Sequence, residues 1–195
     1  MESVASVANL AQALLNVLRN KGASGADGQT VEEVAEQAPR LLPKLQTVLL
    51  QGTYCPGEIR RVWIPKPGGG QRGLGIPNVV DRWVQQAVLQ VLEPIFEPTF
   101  HSSSHGFRPS RGAHTAIAEA KEHLKDGYRV VVDLDLSKFF DRVHHQRLLN
   151  RLGQQVRDRG VLNLVRQMLK AKVVLPDGTT VSTEEGTPQG GPLTA

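Results

Sequence analysis

Apolar residues step by three and four through Val4, Val7, Leu10, Leu14, Val17 and Leu18, which predicts an amphipathic helix over residues 4–19. A turn-rich stretch follows at Gly22–Gly28. Thr30 with Glu33 three residues on has the form of a capping box, predicting a short helix to about Ala38, ended by Pro39. A second helical pattern covers Leu41–Leu50. Between 58 and 76 the period changes: Glu58–Pro65 and Arg72–Ile76 read as two strands joined by the turn Lys66-Pro-Gly-Gly-Gly-Gln71. Asn78 is placed to cap the next helix, whose stripe of Val80, Trp83, Val84, Ala87, Val88, Val91 and Leu92 is the clearest in the chain, with a break expected at Pro94 or Pro98.

A polar loop, His101–Gly112, leads to a helix through Ala113, Ile117, Ala120 and Leu124, ended by Gly127. Tyr128–Leu136 is the strongest strand candidate. Helices are expected near His145–Arg151 and Gly160–Lys170, then a hairpin around Pro176-Asp177-Gly178. Helices alternating with scattered strands predict a mixed α+β architecture.

Composition narrows the class without naming a function. The 195 residues are 39% hydrophobic and 22% charged, the balance of a globular chain. No apolar run approaches the ~20 residues that span a bilayer, and the N-terminus lacks the basic start of a signal peptide. An intracellular protein with no membrane partner is the expectation. Cys55 is the only cysteine, which excludes an intrachain disulfide and a cysteine-rich zinc site. The net charge of +4 says little, but its distribution says more: Arg60, Arg61, Lys66 and Arg72 fall in thirteen residues without an acid. That invites a polyanion partner.

Alternation along 130–136 puts Asp133 and Asp135 on one strand face, ~6–7 Å apart, where they repel unless cations sit nearby. Magnesium suits such a pair, since it takes one or two carboxylates and leaves positions for water and phosphate oxygens. Acids facing water on a partly exposed strand fit the same pattern; Phe139, Phe140 and Asp141 just beyond tilt the reading toward a metal. Arginine forks on the 58–76 hairpin could grip phosphates, and Trp63 among them could stack on a base. Taken alone, a solvated basic hairpin explains these residues as well. Gly186-Thr-Pro-Gln189-Gly-Gly191 offers backbone donors beside a glutamine, or an ordinary turn. The six histidines show no metal-ligand spacing.

The order of these signals is less generic than any one of them. Gly25-Ala-Asp27-Gly28, Arg61-Val-Trp-Ile-Pro-Lys66-Pro67, Arg72-Gly-Leu-Gly-Ile-Pro77, Leu92-Glu-Pro-Ile-Phe-Glu-Pro98, His105-Gly-Phe-Arg108-Pro109, Val132-Asp-Leu-Asp135-Leu-Ser-Lys-Phe-Phe140-Asp141 and Glu185-Gly-Thr-Pro-Gln189-Gly-Gly-Pro-Leu193 occur in register. Together they resemble the N-terminal part of a group II intron-type reverse transcriptase of the maturase family, from about Lys21 to Ala195. The resemblance implies a right-hand polymerase with an incomplete sheet: an N-terminal helical extension (1–22), fingers (23–112) and the first part of the palm (113–195).

It further implies an RNA-directed DNA polymerase whose two Mg2+ ions are held in part by Asp135 and the carbonyl of Leu136, with Asp133 the less favoured ligand. Lys66 and Arg72 match residues that hold the incoming triphosphate. Phe140 matches the aromatic gate beneath the sugar, and Gln189 the palm loop beside the nucleotide. Segment 23–31, with Ser24, Gly25 and Asp27, matches a loop over the template–primer duplex. Arg60, Arg61 and Arg108 are further expected nucleic-acid contacts. The implied partners are an RNA template, a DNA primer and a deoxynucleoside triphosphate, with intron RNA and self-association also open, in the cytoplasm of a bacterium-like cell. The alternative is a non-catalytic RNA-binding module that assists intron splicing.

Two departures stand out. Gly73 replaces the proline usual between Arg72 and Leu74, which is expected to loosen that strand. The second catalytic motif, an aromatic-x-Asp-Asp turn, is missing, as no Asp-Asp pair occurs in the chain. Two-metal catalysis needs carboxylates from both motifs, so the chain by itself is expected not to polymerise DNA at a useful rate.

Overall fold

The computed structural model describes residues 1–194. They form two compact units, one built from Met1–Val91 together with the residues from Lys138 onward, the other from Leu92–Ser137. The residues from Lys138 onward thus pack with the N-terminal ninety.

The first unit begins with α1 (Glu2–Ala5) and α2 (Val7–Asn20). The single helix expected over 4–19 breaks at Ser6, which leaves helical geometry to cap α2 through its hydroxyl, accepting from the Asn9 amide. The Thr30–Glu33 capping box forms as expected and starts α3 (Val31–Leu50). Pro39 does not end that helix, and Pro43 also lies within it. An interior proline costs ~3 kcal/mol by removing a backbone bond. Here Val34, Leu45 and Leu49 lie buried along one continuous stripe, and that burial holds the two expected helices together as one.

Strands β1 (Ile59–Pro65) and β2 (Gln71–Ile76) form the expected antiparallel hairpin. After it comes α4 (Val79–Phe96), in which Pro94 is accommodated and the helix ends at Phe96. Val79, Trp83, Val84 and Val88 of α4 are almost wholly buried, with Val4 and Leu10 similarly enclosed. The Trp83 indole donates to the Leu10 carbonyl at 2.6 Å, tying α4 to α2. The later part of this unit holds the helix pair α6 (His145–Gln155) and α7 (Arg159–Leu169). Asp158 caps α7, and its carboxylate also meets the N-terminal amine. Strands β3 (Val173–Val174) and β4 (Thr180–Val181) complete a four-stranded sheet of order β2-β1-β3-β4, with β3 parallel to β1.

In the second unit, a loop through Ser110 leads to α5 (Ala113–Lys125). Gly127 ends that helix at φ 95°. The strand expected over Tyr128–Leu136 does not form: the segment joins no sheet, and Val130, Val131, Val132 and Leu134 are 76–88% exposed. A helix carries its own hydrogen bonds, whereas a strand exists only when a neighbour supplies them, and none of the described residues does. Among the described residues no helix is long and apolar enough to cross a membrane.

Candidate nucleic-acid and nucleotide site

The basic hairpin divides its charges between two faces. Cross-strand register pairs Ile64 with Arg72 and Arg60 with Ile76, so Arg60 and Arg72 share a face with Val62 and Leu74. Arg61 lies on the opposite face with Trp63, its guanidinium 5.8 Å from the indole centroid. Lys66 begins the exposed turn, where its amide donates to Gly70 and its carbonyl accepts from Gly69. The four cations therefore cannot converge on one phosphate. Gly73 does not loosen the strand; it faces Trp63 in an intact ladder. A Cβ there would lie 2.7 Å from Arg61 Nη1 and 3.0 Å from the Trp63 ring, so the missing side chain makes the space in which Arg61 crosses the sheet.

The glycine loop at 186–191 is no free turn. Gly186 and Thr187 donate to the carbonyls of Val143 and Phe140, each at 2.8 Å. The buried His145 ring donates through Nε2 to the Gly186 carbonyl at 2.6 Å. Three residues beyond Gly186, the Gln189 carbonyl accepts from Gly75 of β2 at 2.8 Å, and Pro188 sits over Gly75. One loop thus joins the turn carrying Phe140 to the strand carrying Arg72, with Gln189 between them.

A second anchoring point went unread in the sequence. The first two turns of α4 present Asp81, Arg82 and Gln85, buried despite their polarity, beside Asn78 at the helix entry. Asn78 gives its carbonyl to the Arg82 amide, opening the helix, while its side chain accepts from the Asp27 amide at 3.2 Å. Gly25 is pressed so close that a Cβ would come within 2.5 Å of the Asn78 Cα. Only glycine fits that contact. Arg82 donates to the carbonyls of Lys21 and Ala23, at 3.2 and 2.9 Å. Loop 21–28, with Ser24, Gly25 and Asp27, is thereby clamped to α4.

Asp81 accepts from the Tyr54 hydroxyl at 2.5 Å and from the Gly57 amide. Burial pushes its carboxyl above the usual range, partly offset by those two bonds. Burial, then the adjacent Asp81 charge, drives the Tyr54 phenol well above its ordinary value near 10. Burial likewise pulls Arg82 down, with Asp27 opposing. The available signal was an Asp-Arg pair inside the most apolar helical run of the chain.

In the second unit, Arg108 is not free to grip a phosphate. Its side chain is 8% exposed, and its fork holds the Glu97 carboxylate at 2.7 Å and the carbonyls of His101 and Ser104. It organises its own loop, and in return lowers the Glu97 carboxyl below its ordinary range through that hydrogen bond. Asp135 and Leu136 are exposed, and since 128–136 forms no strand, the shared carboxylate face expected for Asp133 and Asp135 is not built here. Among the described residues no group of three or more His, Cys, Asp or Glu side chains gathers as a metal site.

Comparison with known proteins gives this arrangement a family. Residues 64–195 match the family described as Reverse transcriptase (RNA-dependent DNA polymerase). Protein YkfC of Escherichia coli (strain K12) is 42% identical over 93% of this chain and 49% of its own length. Group II intron-encoded protein LtrA of Lactococcus lactis subsp. cremoris is 37% identical over 91% of this chain and 29% of its own. Nuclear intron maturase 1, mitochondrial, of Arabidopsis thaliana is 40% identical over 48% of this chain and 13% of its own. The chain therefore spans half or less of the length of these relatives. A solved partial Cas6-RT-Cas1--Cas2 complex shares the fold at a TM-score of 0.59 and 20% identity, over 98% of this chain and 31% of that one. By its motifs, its fold and these relatives, the chain belongs to the reverse transcriptase (RNA-dependent DNA polymerase) family, with the fingers and partial palm of the group II intron type.

Proposed function

We propose that this chain provides the nucleotide- and duplex-binding part of an RNA-directed DNA polymerase. The observation that carries the reading is the 186–191 loop, bonded both to the Phe140 turn and to Gly75 of β2. It links the turn carrying Phe140 to β2, the strand that carries Arg72, with Gln189 between them. In this reading Lys66 and Arg72 hold the triphosphate, Phe140 lies beneath the sugar and Gln189 beside it. The clamped loop 21–28 and the residues following to 31 lie over the template–primer duplex. Arg60 and Arg61 face backbone phosphates from opposite sides of the hairpin.

Asp135 and the Leu136 carbonyl are exposed oxygen donors of the kind Mg2+ accepts alongside water and phosphate. When bound, a pair of such ions stabilises the attacking and leaving oxygens of a phosphoryl displacement. This chain's share of that shell is Asp135, exposed to solvent, and a backbone carbonyl. The proposed partners are an RNA template, a DNA primer and a deoxynucleoside triphosphate, and the proposed place is the cytoplasm.

Fluorescence anisotropy with a labelled RNA–DNA template–primer tests the reading. Binding should tighten with a matched deoxynucleotide, and Lys66→Ala or Arg72→Ala should each weaken that tightening, while Arg60→Ala or Arg61→Ala should each reduce the salt slope of duplex binding by about one phosphate contact. Tightening that survives intact in both Lys66→Ala and Arg72→Ala would overturn the assignment. Template-dependent extension by the 195-residue chain, lost in Asp135→Asn, would overturn the expectation that it is inactive alone. The second reading, an RNA-binding module that assists splicing, draws on the maturase relative. Specific binding of intron RNA, indifferent to nucleotide and to Asp135→Asn, would favour it.

A further inference from the structure

Asn78, Asp81, Arg82 and Gln85, at the start of α4, fall at i, i+3, i+4 and i+7, the spacing of a single helix face. Such a face ordinarily carries apolar side chains into a core. Here Asp81, Arg82 and Gln85 are buried and polar, which costs free energy unless each group finds a partner. What they meet is backbone of the segments proposed to hold the duplex and the nucleotide.

Arg82 donates to the carbonyls of Lys21 and Ala23, and Asn78 accepts from the Asp27 amide, so loop 21–28 is held at successive points. The Asn78 side chain also stands between two glycines. A Cβ on Gly25 would lie 2.2 Å from its oxygen, and one on Gly57, just before β1, 2.3 Å from its nitrogen. About two turns along the helix, a Cβ on Gly191 would lie 2.3 Å from Oε1 of Gln85. None of these three glycines has a positive φ, so closeness to the start of α4 is what excludes a side chain at each.

We propose that Asn78, Arg82 and Gln85 are positioning residues, which fix the duplex loop 21–28 and the nucleotide loop 186–191 at a set separation along α4. What the loops bind rests on the polymerase reading; the separation is a property of the helix. At about 1.5 Å of rise per residue, Asn78 and Gln85 stand ~10 Å apart along its axis. Both loops are irregular backbone and set no spacing of their own, whereas a helix closed by its own hydrogen bonds does. Asp81 ties the hairpin to the same helix by accepting from the Gly57 amide. Because different side chains meet the two loops, each loop can be released separately.

Two amides report that release. Asp27 donates to Asn78 and reports loop 21–28; Gly75 donates to the Gln189 carbonyl and reports loop 186–191. Hydrogen exchange is read first in the 195-residue chain without nucleic acid. Arg82→Lys keeps the charge and loses the fork. It should speed exchange at Asp27 about tenfold, the worth of one charged hydrogen bond, and change Gly75 less. Gln85→Ala should reverse that order. Anisotropy with the labelled template–primer should divide the same way. Arg82→Lys should lose more duplex affinity than Gln85→Ala, and Gln85→Ala more of the tightening by nucleotide. A row that merely stabilised the fold would speed both amides alike in both variants. That result, wild-type rates at both amides, or binding losses shared equally by the two variants would overturn the proposal. Should the wild-type chain fail to bind template–primer, the polymerase reading falls, and the exchange rates still decide whether α4 holds the two loops.

Discussion

Two stretches of this chain carry the strongest hydrophobic patterns, and they end in opposite states. Residues 79–92 become α4, with Trp83, Val84 and Val88 almost wholly buried. Residues 128–136, equally rich in valine, remain unpaired, with Val130 at 86% exposure. The difference lies in where the backbone finds its partners. A helix closes its hydrogen bonds within itself and needs only one covered stripe. A strand needs a neighbour over its whole length, and the four strands of the sheet are assembled elsewhere. Pattern alone therefore specifies a helix more completely than it specifies a strand.

The largest expected effect strikes the buried member of this pair. Trp83→Ala should cost ~3–5 kcal/mol, because it empties a full indole from the core and leaves the Leu10 carbonyl without its donor. The shift in denaturant midpoint measures it. A loss below ~1 kcal/mol would mean that α4 is not the organising element described here.

Next comes the polar anchor of the same helix. Asp81→Ala should cost ~1–3 kcal/mol by orphaning the Tyr54 hydroxyl and the Gly57 amide. Asp81→Asn should cost less, since its amide oxygen can still accept from Tyr54. Equal losses in the two variants would show that charge, not acceptance, is what Tyr54 requires.

That anchor also shows how far sequence reading reaches. The capping box at Thr30, the hairpin at 59–76, α5 and the helix pair after His145 were legible, because caps, turns and periods of 3.6 or 2 act over a few residues. Pro39 and Pro43 misled, since a local penalty was outweighed by burial of Val34, Leu45 and Leu49. At the candidate site, the basic hairpin and the glycine loop were readable as pieces. Their joining through Gly75 and Gln189 was not, because those residues lie more than a hundred positions apart. The hold of Arg108 on Glu97, His101 and Ser104 was not readable either, because those nearby partners are fixed by a loop conformation that no period announces.

A smaller effect follows from the Tyr54 phenol, whose folded value lies well above 10 through burial and the Asp81 charge. As pH rises past 10, the unfolded chain releases that proton while the folded one keeps it. Stability contributed by the protonated phenol is full below 10 and drains away as pH climbs toward the raised value. Tyr54→Phe should flatten this alkaline fall in melting temperature, though its stability at neutral pH is lower for want of the bond to Asp81. An unchanged alkaline slope would assign the fall to other groups.

The smallest effect belongs to the exposed member. Val132→Thr should alter the stability of the dilute chain by no more than ~0.5 kcal/mol, since a residue 76% exposed already meets water. The same exchange at Val84, fully buried in α4, sets a hydroxyl in the core and should cost ~1–3 kcal/mol. The pair of measurements isolates environment, because the chemistry of the change is identical. If Val132→Thr instead cost as much as Val84→Thr at low concentration, residues 128–136 would be folded against a partner within the same chain.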